Sequence, residues 1–298
     1  MTTGADLLRD VAPEGADVLE AVVAAAWAGA GRAGATDLVA SAARTCADVL
    51  GVHALTPPSD ASGPAWDGDA PAVLAFAEQC CVDVASVTPE QRASFLSATG
   101  PAAGELAAAL WVVDVVPRTR AALDALAGTA GPWPVAGPDT PAGDLWPALD
   151  DLVRVVPALD ALDPVTTELV RLRGARAHDC RLCRSLRSRS ALRAGATEAD
   201  FDAVDRYADS SLPELARAAL ALCDAMVWTP GRIDPAVVDG LRATATPAQQ
   251  VEVVLDVTRN ALNKVAVALG ADAPHVDEGV EIYDVRPDGT LVYGLDAD

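Results

Sequence analysis

The stretch Glu168-Leu169-Val170-Arg171-Leu172-Arg173-Gly174-Ala175-Arg176-Ala177-His178-Asp179-Cys180-Arg181-Leu182-Cys183 decides how the chain is read. Asp163-Pro164 just before it sets a capping side chain ahead of a proline at the first helical position, which predicts a helix over 164–178. A second helix is expected over 180–194, capped by Asp179 and stopped at Gly195. A Cys-x-x-Cys at a helix start has a physical use. Its first sulfur meets unpaired backbone N–H groups and the positive end of the helix dipole, which lowers the pKa. The second sulfur lies one turn away, within reach of a disulfide. Glu168, twelve residues before Cys180, sits on the preceding helix, from which its carboxylate can return to the sulfurs as proton donor or acceptor. In isolation the same residues read equally well as two buried cysteines and a surface glutamate.

Around the cysteines the charge pattern reverses. Eight of the 21 arginines fall within residues 171–193, and residues 168–193 sum to +6 in a chain whose net charge is −21. Such an island favours a thiolate and attracts a carboxylate-bearing substrate or partner. The same arginines also read as a solvated face, or as an interface paired with acids of a neighbouring subunit. His178 can orient groups near the motif, although a lone histidine at a helix end is more often a cap or a surface group. There is no second Cys-x-x-Cys, so no metal is expected. Cys46, Cys80, Cys81 and Cys223 lie in apolar helical patterns and are expected to pack as small hydrophobes. The only two asparagines, Asn260 and Asn263, share one helix face with Asp256 and Lys264. That polar stripe lines the cysteine pocket, seals an intersubunit contact or faces water.

The segment from Pro164 to about Val204 resembles the alkylhydroperoxidase-D-like or carboxymuconolactone decarboxylase superfamily, an all-helical family. Its motif is a glutamate, then twelve residues on the first cysteine of Cys-x-x-Cys, then a histidine four residues after the second cysteine. Glu168, Cys180 and Cys183 match, and the histidine position holds Arg187. The resemblance implies a thiol oxidoreductase without cofactor. Cys183 attacks a hydroperoxide, Cys180 resolves the sulfenic acid into a disulfide, and Glu168 moves protons. It also implies a small-molecule hydroperoxide or carboxylate substrate, a dithiol electron donor such as a lipoyl protein, and a homo-oligomer. A guanidinium at position 187 can stabilise a thiolate by charge but cannot shuttle a proton. Two rival readings follow: a decarboxylase-like lyase, and a non-catalytic oligomeric or redox-sensing module that has lost the proton relay.

The rest of the chain reads as helical. Periodicity and caps predict helices over 14–31, 36–50, 70–86, 89–97, 102–126, 143–160, 164–178, 197–207, 213–228, 234–243 and 247–269, besides the one at the cysteines. A run with four glycines and four prolines between Gly128 and Gly143 separates two halves whose elements follow the same order. The fold class expected is therefore all-α, two degenerate copies of the alkylhydroperoxidase-D-like fold. The copy without Cys-x-x-Cys covers 1–130, a linker 131–145, and the copy with it 146–275. Residues 276–298 form a β-hairpin appended to the end, turning at Arg286-Pro287-Asp288-Gly289.

Composition narrows the function classes. With 43 acidic against 22 basic residues the chain repels phosphate backbones and anionic membranes, so neither nucleic acid nor a membrane is an expected partner. Apolar runs such as Leu106 to Val116 are too short to span a bilayer, and the N-terminus lacks a signal-peptide pattern. A cytoplasmic, thiol-reducing location is expected, where six cysteines serve packing or redox chemistry rather than as structural staples.

Overall fold

A computed structural model describes residues 2–58, 66–134 and 143–296. The first half folds into α1 (Gly4–Val11), α2 (Pro13–Arg32), α3 (Thr36–Leu50), α4 (Ala70–Asp83), α5 (Pro89–Thr99) and α6 (Ala103–Ala127). The second half opens with α7 (Leu145–Val155), α8 (Pro164–Ala177) and α9 (Arg181–Arg184), then β1 (Leu186–Ser188), α10 (Arg189–Arg193) and α11 (Glu198–Ala203). It continues with α12 (Glu214–Trp228), α13 (Pro235–Thr244), α14 (Pro247–Asn260) and α15 (Asn263–Leu269), and ends in β2 (Glu281–Val285) and β3 (Leu291–Leu295). The fold is all-α with a short C-terminal hairpin, as the periodicity predicts. Helix starts follow the caps read from sequence. Thr88 with Gln91, Thr197 with Asp200 and Thr246 with Gln249 form reciprocal capping boxes, and Asp163 and Asp234 cap prolines at the first helical position.

The Gly/Pro run is a boundary in sequence and not in packing. Much of it, 135–142, lies outside the described residues, and the buried side chains on either side join one continuous cluster. α7 packs on α2, and α14 packs on both α1 and α6. Polar contacts cross the same seam. Thr119 on α6 shares a 2.7 Å hydrogen bond with Thr258 on α14, and Asp114 on α6 is held between Arg118 and Lys264 of α15. Among the described residues one stretch, 89–127, contains a window long and apolar enough by length and composition to cross a membrane, and 67% of that window is buried inside the fold.

Two departures from the helix assignment shape the site. The expected helix over 247–269 breaks at Ala261-Leu262, where the Trp111 indole N–H donates to the Ala261 carbonyl at 2.9 Å and the next bonds are of the shorter i to i+3 kind. The expected helix over 180–194 is broken more completely. Residues 186–188 run as a strand parallel to β2, with Arg187 opposite Ile282 and Ser188 opposite Tyr283. The hairpin is thus no appendage but the outer part of a three-stranded sheet whose first strand follows the cysteines. Its turn is seated firmly. Gly289 adopts φ 79° and lies so close to α7 that a Cβ there would meet the Arg154 carbonyl oxygen at 2.5 Å, so glycine satisfies both the backbone and the contact.

Candidate functional site

Cys180 and Cys183 lie at the end of a cavity of about 200 Å³, whose walls include Leu182, Leu186, Ala266, Leu291 and Tyr293. All six cysteines of the chain are free thiols. Cys180 is buried at 1% exposure, whereas residue Cys183 is only partly buried, and both line the cavity. The N-cap of α9 is Cys180 itself: its sulfur accepts the Cys183 backbone N–H at 3.3 Å. Asp179, expected as the cap, instead takes a left-handed φ of 50° and pairs with Arg184. The capping acid comes from far downstream, where Asp272 accepts the Arg181 backbone N–H at 2.9 Å and the Arg181 guanidinium at 2.7 Å.

The electrostatic benefit falls on the second cysteine, not the first. Cys183 is lowered from 9.0 to about 7, chiefly by the hydrogen bond from the Cys180 thiol, with the Arg171 guanidinium and the Asn263 side chain assisting against the cost of burial. Cys180 is raised, because it donates to Cys183 and is itself buried. A four-residue helix adds little dipole, so the thiolate depends on these side chains.

Arg171 is the cation at the sulfurs, and it is fixed on every side. Its guanidinium donates to the Cys183 carbonyl at 2.7 Å and the Leu186 carbonyl at 3.0 Å, and clasps both oxygens of Glu168 at 2.6 and 2.7 Å. Glu168 also accepts the Tyr283 hydroxyl at 2.8 Å and the Ser188 N–H at 3.1 Å. With four donors its lone pairs are committed, and it lines a neighbouring cavity of about 230 Å³ rather than the cysteine pocket. Glu168 therefore orients Arg171 and Tyr283, in place of the expected direct return to the sulfurs.

Arg187 does not join the site. Side chains alternate along a strand, so Leu186 faces the pocket while Arg187 points away, stacks 5.0 Å over the Phe201 ring and pairs with Glu198 at 3.2 Å. The break in the expected helix is the reason: position 187 is no longer one turn beyond Cys183. His178 does join it indirectly. Its Nδ1 lies 2.8 Å from the Asn263 Oδ1, and burial lowers its pKa from 6.5 to about 3, so the ring is neutral and fixes the amide that supports Cys183. Asn260 and Asn263 both line the cysteine pocket, one of the readings of the polar stripe, whereas Lys264 turns to Asp114.

The arginine island is neutralised within the chain. Arg171, Arg173, Arg176, Arg181, Arg184, Arg187 and Arg189 pair with Glu168, Asp224, Asp205, Asp272, Asp179, Glu198 and Asp284. Residues that the motif does not contain complete the site: Tyr283 and Tyr293 on the hairpin, Asp272, and Arg259. Among the described residues no three His, Cys, Asp or Glu side chains cluster as a metal site.

This arrangement defines an all-helical protein with a polarised dithiol at an apolar pocket. Two uncharacterized proteins of Mycobacterium tuberculosis, from strains CDC 1551 / Oshkosh and ATCC 25618 / H37Rv, are each 41% identical to it over 262 residues, covering 84% of this chain and 90% of theirs. The chain belongs to the family of these mycobacterial proteins. No family model matches the chain, and no solved structure matches it.

Proposed function

We propose that the protein is a thiol-dependent hydroperoxide reductase of a reducing, cytoplasmic compartment, with Cys183 as nucleophile and Cys180 as resolving thiol. The observation that carries this reading is the asymmetry of the pair. The less buried residue, Cys183, has its thiol pKa lowered to about 7, while that of the buried Cys180, whose sulfur accepts the Cys183 N–H at 3.3 Å, is raised. The Cys183 thiolate attacks the terminal oxygen of the hydroperoxide, the O–O bond breaks, and the alkoxide leaves as alcohol after taking a proton from water at the open pocket. Cys180 then attacks the sulfenic sulfur, forming the disulfide and releasing water. A dithiol donor reduces that disulfide to two thiols and is itself oxidised to its disulfide. Arg171 supports the thiolate by charge, and Glu168 and Asn263 position the groups around it.

Thiol counting before and after one equivalent of an organic hydroperoxide tests the reading, with mass spectrometry to locate the bond. Loss of two thiols as a Cys180–Cys183 disulfide is expected. Six remaining free thiols, or oxidation confined to Cys80 or Cys223, would overturn it. The same pair without turnover would act as a redox sensor. The observation favouring that second reading is that Glu168, the carboxylate of the motif, has no lone pair to spare for proton transfer.

A further inference from the structure

Seven arginines around the motif pair with acids, and among the described residues Arg259 has no such pair. Its one side-chain hydrogen bond among them is a long 3.5 Å contact to the Asn260 Oδ1. It sits in the wall shared by the cysteine pocket and the neighbouring cavity, so its donors open onto the space where Cys183 waits. Beside it, Asn260 Nδ2 has no hydrogen-bond partner. A half-buried guanidinium with unused donors at an otherwise apolar pocket is an uncompensated charge that a ligand anion would satisfy.

We propose that Arg259 anchors the carboxylate of the substrate, so that the cysteine pocket takes a compact, apolar organic hydroperoxide bearing one carboxylate. This rests on the peroxidase reading for the reaction and on Arg259 alone for the specificity. The wall composition decides the class. Val153, Leu182, Leu186, Ala266 and Leu291 suit a hydrocarbon body, Tyr293 offers an aromatic face, and one guanidinium matches one negative charge. A doubly charged phosphate fits less well, because Glu252 lines the adjoining cavity and the whole chain is strongly acidic. Asp256 does not neutralise Arg259: burial raises its pKa from 3.8 to about 8, so at neutral pH it is largely uncharged.

The test compares cumene hydroperoxide with its 4-carboxylate derivative as substrates. In parallel, 4-isopropylbenzoate, 4-isopropylbenzyl alcohol and 4-isopropylphenyl phosphate serve as unreactive ligands, read by calorimetry and by protection of Cys183 from alkylation. The carboxylate should be preferred on the order of tenfold to a hundredfold, mainly through KM, the range of a charge-assisted hydrogen bond. In Arg259→Gln the preference should collapse to about one, and Arg259→Lys should keep part of it. Reduction of both hydroperoxides at equal efficiency, with no tighter binding of the benzoate than of the alcohol, overturns the anchor and leaves the peroxidase reading standing. Arg259-dependent binding of the benzoate with neither hydroperoxide reduced overturns the peroxidase reading and leaves the anchor. Tighter binding of the phosphate than of the benzoate overturns the assignment to carboxylates.

Discussion

Each half of the molecule sets a buried arginine against a cysteine backbone, and the two thiols shift in opposite directions. In the second half Arg171, held by Glu168, donates to the Cys183 carbonyl at 2.7 Å; in the first, Arg118, held by Asp114, donates to the Cys81 carbonyl at 2.6 Å. The thiols differ in their surroundings. Cys46 and Cys81 donate to the Ala77 and Cys46 carbonyls at 3.9 and 3.8 Å, the Cys81 sulfur also accepts from Arg118 at 3.8 Å, and the contact with Cys46, burial and Asp114 raise the Cys81 thiol. The Cys183 thiol is instead lowered to about 7, with the neighbouring Cys180 thiol as the first cause. Access differs too, since Cys46 and Cys81 are 1% and 2% exposed, while Cys183 opens on a cavity. An adjacent arginine is thus common to both cysteines, and burial and the opening onto a cavity set them apart.

Cys183→Ser tests the comparison most severely. It should lower the initial rate with an organic hydroperoxide and a dithiol donor by roughly a thousandfold or more, since a hydroxyl cannot replace a thiolate at neutral pH. Cys46→Ala should leave that rate unchanged and cost about 1 kcal/mol or more of stability, read from denaturant unfolding. A rate that survives Cys183→Ser, or one that is lost in folded Cys46→Ala, would exchange the roles of the halves.

Arg171→Gln comes next. It leaves Glu168 buried without its main partner, which should cost roughly 3–5 kcal/mol. It should also raise the Cys183 midpoint by about one pH unit or more, because a nearby cation favours the thiolate. Thiolate absorbance against pH measures the midpoint, expected near 7 in the native protein, with alkylation rate rising through it toward alkaline pH. Asn263→Ala should move the midpoint the same way by less, and its milder effect on folding keeps the measurement possible.

His178 gives a stability prediction with a definite sign. Its folded pKa is depressed from 6.5 to about 3, so between those values the unfolded chain binds the extra proton and stability falls as pH falls through that window. The slope from this group is about 1.4 kcal/mol per pH unit. Urea unfolding of His178→Asn between pH 6.5 and 4 should show a correspondingly shallower loss than the native protein.

Tyr283→Phe removes the hydroxyl that steadies Glu168 and should cost about 1–3 kcal/mol, as for hydrogen bonds to charged groups. Arg187→Ala should have the smallest effect at the sulfurs. It loses a buried contact with Phe201 worth roughly 2 kcal/mol, and the Cys183 midpoint should not move. A midpoint that rises in Arg187→Ala, or turnover created by Arg187→His, would return Arg187 to the site.

The helices were legible because caps and apolar period act locally: Thr246-Pro247 and Asp163-Pro164 announce α14 and α8 without reference to anything distant. The cysteine pair and Glu168 were legible as a spacing. What surrounds them was not, because it depends on a strand pairing between residues about a hundred positions apart. Nothing in Leu186-Arg187-Ser188 alone says strand; the three residues become one by pairing with β2. Once they do, Arg187 faces away, Tyr283 reaches Glu168, and Arg171 inherits the task assigned to Arg187. The hairpin itself was readable from Pro287-Asp288-Gly289, but not its seat against Arg154. Asp272 and Arg259 left no local signal at all. Their roles arise only from where α15 and α14 end.

The strand pairing also sets when the surroundings of the two thiols are completed. Chains emerge from the ribosome N-terminus first, so the two cysteines leave well before Asn263, Asp272 and Tyr283, which follow about 80 to 100 residues later. Until those residues arrive, Cys183 has neither its amide donor nor its capped helix, and Arg171 lacks the full brace that aims it. A nascent chain stopped before residue 263 carries the two cysteines without the amide, the acid and the tyrosine that stand around them in the folded protein.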